Sequence, residues 1–429
     1  MKTHLLTFIG FTTFALFVSC EDKVEIEQRY NYFEPVFTTT AEIRASVTPV
    51  APQEIKEAGK IYIKDNWLFV NEVGKGIHIV DNTNPASPLV KSFLNIPGNY
   101  DMAIKGDILY ADSYIDLIAF DISDKSNIKI TKRIEGIFSF YDRMRSGVDP
   151  QKGIITSWKP VEQVQVRDLK DQQVCCMPWG GFMLRGGIVA FAQSADVRTA
   201  MTPGNPATTG IGGSMARFTI ANDYLYLMDA GNLHALNISN FADPVAKTSN
   251  MIAWDIETIF PHENKLFFGA QSGMYIYGLD DPENPNRISQ YNHVRSCDPV
   301  VVEGNLAYVT LRSGTACQGF TNQLEVIDIS NLTSPQLLKI YPMTNPHGLG
   351  IDNKKLFICD GDDGLKIFDA TDHLKISDNQ LAHYKSINSY DVIPYNNIAI
   401  MTGKDGIYQF DYSDPKAVKQ LSRLGFAKP

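Results

Sequence analysis

One unit of about forty residues recurs along the chain, and it limits the possible folds more tightly than any other feature. LFVNEVGKGIHIVDNTNPASP starts at Leu68, LYADSYIDLIAFDISDKSN at Leu109 and LYLMDAGNLHALNISNFADP at Leu225. LFFGAQSGMYIYGLDDPENP follows from Leu266, and AYVTLRSG with NQLEVIDISNLTSP from Ala307. The last two copies are LFICDGDDGLKIFDATDHLK from Leu356 and IAIMTGKDGIYQFDYSDPKA from Ile398. Anchor-to-anchor spacings are 41, 116, 41, 41, 49 and 42 residues. Each copy reads as an apolar strand, a short turn, an alternating strand, usually an Asp, and an Asn/Asp/Pro corner. A strand precedes each anchor across a tight turn, as in Asp101-Met102-Ala103-Ile104 before Lys105-Gly106-Asp107. A fourth follows the corner, as in Leu89 to Ile96.

Four short strands per unit, with both faces of the middle two apolar, cannot stand alone in water. Radial stacking covers both faces and leaves only short edges. The expected fold is therefore all-β: a seven-bladed β-propeller of four-stranded antiparallel blades over residues 56–429. Stacked helices are excluded because no long segment has a 3.6-residue apolar period. The repeat Asp is replaced by Asn237 in the third unit and, on this reading, by Leu279 in the fourth.

The motifs GIHIVDNTNPASP, LEVIDISNLTSP and GLKIFDATD resemble the LVIVD repeat of bacterial exported β-propellers. The resemblance runs from about Gly59 to Leu424 with one interruption. The segment CDPVVVEGNLAYVTLRSGTAC is similar to lipoproteins of that family. It implies a seven-bladed propeller and supplies no activity.

Residues 1–19 read as a lipoprotein signal peptide. The apolar stretch Leu5 to Val18 is too short to span a bilayer comfortably. Phe17-Val18-Ser19-Cys20 resembles a lipobox, which makes Cys20 the expected site of lipidation, with Phe17 where Leu is usual. An ordinary secretory signal with a chance cysteine is the alternative. Residues 20–55 read as a lipid anchor and tether, and Glu21-Asp22-Lys23 as either a surface-export signal or a solvated linker. The expected location is membrane-anchored, on an outer-membrane, periplasmic or surface face. The net charge of −9 includes no basic stripe, which argues against nucleic acid.

The spacing of 116 carries an insertion, about residues 142–213, between the second and third blades. The spacing of 49 carries an enlarged loop, Arg312 to Gln323, in the fifth. In an A-B-C-D blade both positions lie at the same end of the ring, and binding residues concentrate on loops held by a rigid scaffold. An eighth, degenerate blade is the alternative for the insertion. Cys297 and Cys317 fall at this end, and a disulfide between them would contribute roughly 3 kcal/mol, against two buried thiols. The vicinal Cys175 and Cys176 stay open, and Cys359 reads as a core thiol.

Strands nearest the axis begin with Asp101, Arg217, Asp298, His347 and Asp391, candidates for ligand binding at the channel mouth, or else merely solvated lining. Asp360-Gly361-Asp362-Asp363-Gly364 falls where each unit turns, and it lacks the ligand spacing of a calcium loop. No catalytic motif, metal site or cofactor site emerges. The function expected is a monomer binding or scaffolding a protein or glycan partner through its insertion-bearing end. The alternative is a propeller-type hydrolase or dehydrogenase with a metal or polar ligand at the channel mouth.

Overall fold

A computed structural model describes residues 25–138, 148–149, 151–168, 209–214, 216–229, 231–294, 296, 299–314 and 320–427. The chain divides into two compact units, Phe37–Thr156 with Ala190–Pro429, and Met1–Val36 with Ser157–Val189.

In the larger unit the repeat becomes a series of antiparallel meanders, each with strands A to D in chain order. Among the described residues there are seven, spanning Ala58–Asn95, Met102–Ile134, Phe218–Met251, Ile256–Asn292, Val300–Pro342, Leu349–Tyr384 and Ser389–Gly425. Strands B and C are buried on both faces: Leu68, Phe69, Val70, Ile77, Ile79 and Val80 are all inaccessible to solvent. Strand D lies outermost and is largely exposed, as in Lys129–Ile134. Successive A strands pack side by side from the first meander to the last. This is a β-propeller.

Turn chemistry recurs with the same regularity. Every A–B turn places a residue in the left-handed region: Asp65, Gly106, Asn222, Glu263, Gly304, Asn353 and Asn396. Asp, Asn and Gly suit that conformation, and it matches the twist of a tight hairpin. The repeat Asp also acquires a definite role. Asp81, Asp121, Asp328, Asp369 and Asp411 each accept a hydrogen bond from the backbone N–H two residues on, which closes the C–D corner as an Asx turn. Asn237 does the same to Ser239 at 3.0 Å, so the third corner is unaltered. In the fourth meander Lys265 pairs with Gly278, which therefore holds the repeat position assigned above to Leu279. There the corner relies on Asp281, whose carboxylate accepts from Glu283 N.

All seven C–D pairs carry a register shift at the same depth, for example between Ile79 and Val80 and between Gln409 and Phe410. A bulge there increases the local twist of the outer strand. The pattern of side chains alone does not announce it.

The ring closes without exchanging a strand, since the first and last meanders each keep their own four. Ile61, Ile63, Leu68, Val70 and Val80 of the first share one core with Ile393, Ile400 and Ile407 of the last. At about 1.5–3 kcal/mol per buried side chain, this apolar seam outweighs its few polar ties. Those ties are specific, however. Asn82 Nδ2 donates to Gln409 Oε1 at 3.0 Å, and Gln409 Nε2 returns a bond to Asn82 Oδ1 at 2.7 Å. Ser422 Oγ donates to Pro85 O at 2.6 Å, and Ala427 N to Ile55 O at 2.8 Å.

The scaffold also begins earlier than residue 56. Residues Thr40–Ser46 form a helix with a reciprocal capping box between Thr39 and Glu42, and Thr48–Val50 adds a fifth strand outside Leu89–Asn95. Arg44 of that helix grips Asp116 of the second meander at 2.8 and 3.1 Å. Residues 40–50, read from the sequence as tether, are thus part of the propeller.

In the smaller unit, strand residues of Glu25–Thr38 and Gly153–Asp168 lie in one sheet, with Tyr30 Oη donating to Gln163 Oε1 at 2.6 Å. Tyr30, Tyr32, Phe33, Trp158 and Val164 are exposed there. Among the described residues, the insertion forms no eighth meander.

The Asn82–Gln409 pair gives a direct test of the seam. Replacing Gln409 by Leu leaves a buried amide without its partner, and urea unfolding should show a loss of about 1–3 kcal/mol. The double change Asn82→Leu, Gln409→Leu should recover part of it.

Candidate functional site

The end of the ring where strands A begin and strands B finish carries most of its buried charge. At three B-strand ends an acid receives two backbone N–H groups from the connection that leads into strand A. Glu72 accepts from Lys56 N and Glu57 N, both at 3.0 Å. Asp112 Oδ1 accepts from Tyr100 N at 2.8 Å and Asp101 N at 2.9 Å. Asp360 accepts from Thr344 N at 3.0 Å and Asn345 N at 2.7 Å. These donors lie in connections ahead of strand A, and a carboxylate satisfies both at once. Strand C then supplies a partner to the acid. His78 Nε2 lies 3.0 Å from Glu72, and Lys366 pairs with Asp360.

A denser network lies between the first and second meanders. Asp101 is buried, forms an ion pair with Lys60, and accepts the Arg217 N–H at 2.7 Å. Asn99 links Asn71 to Asp112 through two 2.7 Å hydrogen bonds. Burial pushes the Lys60 ammonium down, and it pushes the Asp112 carboxyl up to about 7 against the backbone N–H groups of Asp101 and Tyr100.

The chain also lines part of the inner face of the ring. Residues 209–214, the return limb of the insertion, run inside the innermost strands. Ile211–Gly212 pairs with Tyr62 and Ile63 as an inner fifth strand of the first meander. Gly210 N donates to Ile104 O at 2.9 Å. Ser214 gives both its N–H and its hydroxyl to Asp391 Oδ1, at 2.9 and 2.8 Å, and its oxygen accepts from Leu349 N at 2.6 Å.

The sequence candidates are accordingly sorted by the structure. Asp101, His347 and Asp391 do not form a solvated ring: all three are buried. Asp391 is covered by Ser214 of the return limb, and Asp101 by Lys60 and the Arg217 backbone. His347 lies against Tyr390 with ring centroids 5.4 Å apart, and its backbone bonds to Cys359 O and Thr310 Oγ1, both at 2.7 Å. Arg217 is half-buried at the third meander, and its charge reaches both Lys60 and Glu257. Glu257 is raised by burial, while the Gln271 amide at 2.9 Å and the charges of Arg217 and Arg312 hold it down. Asp298, Cys297, Cys317, Cys20, Cys175 and Cys176 lie outside the described residues. Cys359 is a free, buried thiol in strand B, pushed well up by burial. Asp360 to Gly364 is a turn, with Gly361 and Gly364 at positive φ.

One group escaped the sequence reading. Met251, Trp254, Val294 and Phe320 are 61, 68, 54 and 99% exposed. Met251 ends strand D of the third meander, Trp254 and Val294 lie on the D–A connections after the third and fourth, and Phe320 lies in the B–C loop of the fifth. All therefore belong to the end from which the insertion departs. The available signal was apolar residues inside connections, where polar turn residues are the rule.

Glu72 carries a pH test. Burial raises its carboxyl, but His78 and the two backbone donors outweigh that and take it from 4.5 to about 2. A folded value below the unfolded one means stability present above about pH 4.5 and lost as the pH falls toward 2. The stability gap between wild type and Glu72→Gln in urea unfolding should be largest near neutrality and shrink through that window.

A family model described as the LVIVD repeat matches residues 56–95, 99–135 and 295–343, on the first, second and fifth meanders. No curated protein matches the chain. Among solved structures, the computationally designed Ika8 protein is similar over 88% of this chain and 92% of that chain, with a TM-score of 0.50 and 10% identity. Dihydro-heme d1 dehydrogenase NirN in complex with DHE has a TM-score of 0.49 and 12% identity, over 87% of this chain and 67% of that one. BamB from Moraxella catarrhalis has a TM-score of 0.44 and 9% identity, over 92% of each. Likeness at these identities concerns the fold alone. The chain is a β-propeller that carries LVIVD repeats.

Proposed function

We propose that this chain is an exported, lipid-anchored, seven-bladed propeller that holds a protein or glycan partner on the end of the ring bearing its long connections. The observation that carries the reading is the exposed set Met251, Trp254, Val294 and Phe320, at a strand end and on connections of that end. Side chains of this size exposed together on loops of a rigid ring mark a contact surface. Trp and Phe rings also offer stacking faces to a sugar. Cys20, within Phe17-Val18-Ser19-Cys20, is the acylation site, and its lipid holds the ring at a membrane surface as a monomer.

Affinity capture from the native cell envelope tests the contact surface. Buried aromatic anchors at interfaces cost about 2 kcal/mol or more on truncation, roughly thirtyfold in affinity. The double change Trp254→Ala, Phe320→Ala should therefore abolish capture, while Leu89→Ala on an outer strand should leave it intact. Equal capture by all three proteins overturns the reading. For the anchor, Cys20→Ser should remove metabolic labelling by an alkyne fatty acid; persistence of the label refutes acylation at that cysteine.

A further inference from the structure

We infer that residues 209–214 are the clasp that fastens the propeller ring across the seam between its last and first blades. The inference is independent of the proposed partner surface. Its first support is where the clasp makes its bonds. Ile211–Gly212 pairs with Tyr62 and Ile63 of the first blade, and Gly210 N and Thr209 meet Ile104 and Lys105 of the second. Ser214 bonds to Leu349 of the sixth and Asp391 of the seventh. Sixth, seventh, first and second are consecutive around the ring, so these bonds form an arc centred on the seam.

The second support is what the seam otherwise lacks. Among the described residues no strand is exchanged across it, and its core of isoleucine, leucine and valine residues is adhesive without being directional. Beyond the Asn82–Gln409 pair and the Ser422 and Ala427 bonds, hydrogen bonds from one short segment to both flanks add registration. The third support is steric. A Cβ at Gly213 would lie 2.1 Å from Asp391 Oδ2, and one at Gly348 would lie 2.2 Å from Asp391 Oδ1 and 2.5 Å from Ser214 Oγ. Two glycines thus leave the room in which Asp391 and Ser214 meet. Asp391 is 1% exposed, so it relies on such donors in place of water.

Because the clasp is also the return limb of the insertion, ring closure and the anchoring of the insertion become one event. A ring whose clasp is released should open first at its seam.

Hydrogen exchange on the full chain reads this directly. In Ser214→Ala, peptides covering Ala58–Lys64 and Ile398–Gly403 should exchange at least tenfold faster, while those covering Tyr224–Asp229 and Lys265–Ala270 keep wild-type rates. Gly213→Val should do the same more strongly; if it fails to fold, Ser214→Ala decides alone. Thr310→Val removes a comparable axial hydrogen bond between the fifth and sixth blades. It should leave the seam peptides unchanged. Unaltered seam exchange in Ser214→Ala overturns the inference. So does equal acceleration in all seven blades, or the same seam opening in Thr310→Val.

Discussion

A sheet whose two faces are both apolar has to be covered twice, and the architecture follows from that requirement. In strand B of the first meander Leu68, Phe69 and Val70 stand side by side, so oily groups point up and down from the same sheet. Two such sheets pressed together would each still expose one face. Only a ring gives every sheet two neighbours and leaves none uncovered. The outer D strands escape the requirement, and they are the strands where charged residues and exposed Leu337, Leu338 and Ile340 are found. The same logic makes the seam the weak point. Apolar packing joins the two blades there, but among the described residues no shared strand fixes it, so registration passes to Asn82, Gln409 and the axial segment.

The buried carboxylates follow from the ring as well. Where A strands converge, the connections feeding them have backbone N–H groups ahead of the strand ladder. Glu72, Asp112 and Asp360 accept from them. Strand C pairs two of these acids, Glu72 with His78 and Asp360 with Lys366, while Lys60 pairs with the neighbouring Asp101. Acid–base pairs of this kind resemble catalytic constellations when viewed as a residue inventory. Their hydrogen bonds run to backbone groups and to each other, which is the pattern of a scaffold holding its own loops.

What could be read from the residues was the part set by local chemistry repeated in register. The turn residues Asn, Asp and Gly, the paired B and C strands and the corner Asp all recur at fixed offsets. The one slip in register, Leu279 for Gly278, arose because a glycine leaves no side chain to align. The helix at Thr40–Ser46 has a capping signal in Thr39 and Glu42, but its roughly two turns carry too little periodicity to stand out beside the repeats. Of the channel-mouth residues, Asp101, His347 and Asp391 are buried among partners distant in sequence, which local pattern does not reveal. Nothing in Gly210-Ile211-Gly212-Gly213-Ser214 betrays that it lies along the axis, because its partners, Tyr62, Ile104, Leu349 and Asp391, are dispersed over more than three hundred residues.

That dispersal bears on how such a ring gains function. Asp391 and Ser214, polar side chains on the inner face of the ring, are engaged with each other and with the backbone of Leu349. Variation that creates a contact surface then falls to the connections at the ends of the sheets, where a changed residue disturbs no blade. The exposed Trp254 and Phe320 sit on such connections, whereas the buried tyrosines Tyr110 and Tyr226 reach across to the next blade's corner and hold it. Tyr110 and Tyr226, in strands, thus serve the ring, whereas Trp254 and Phe320, in end connections, face solvent.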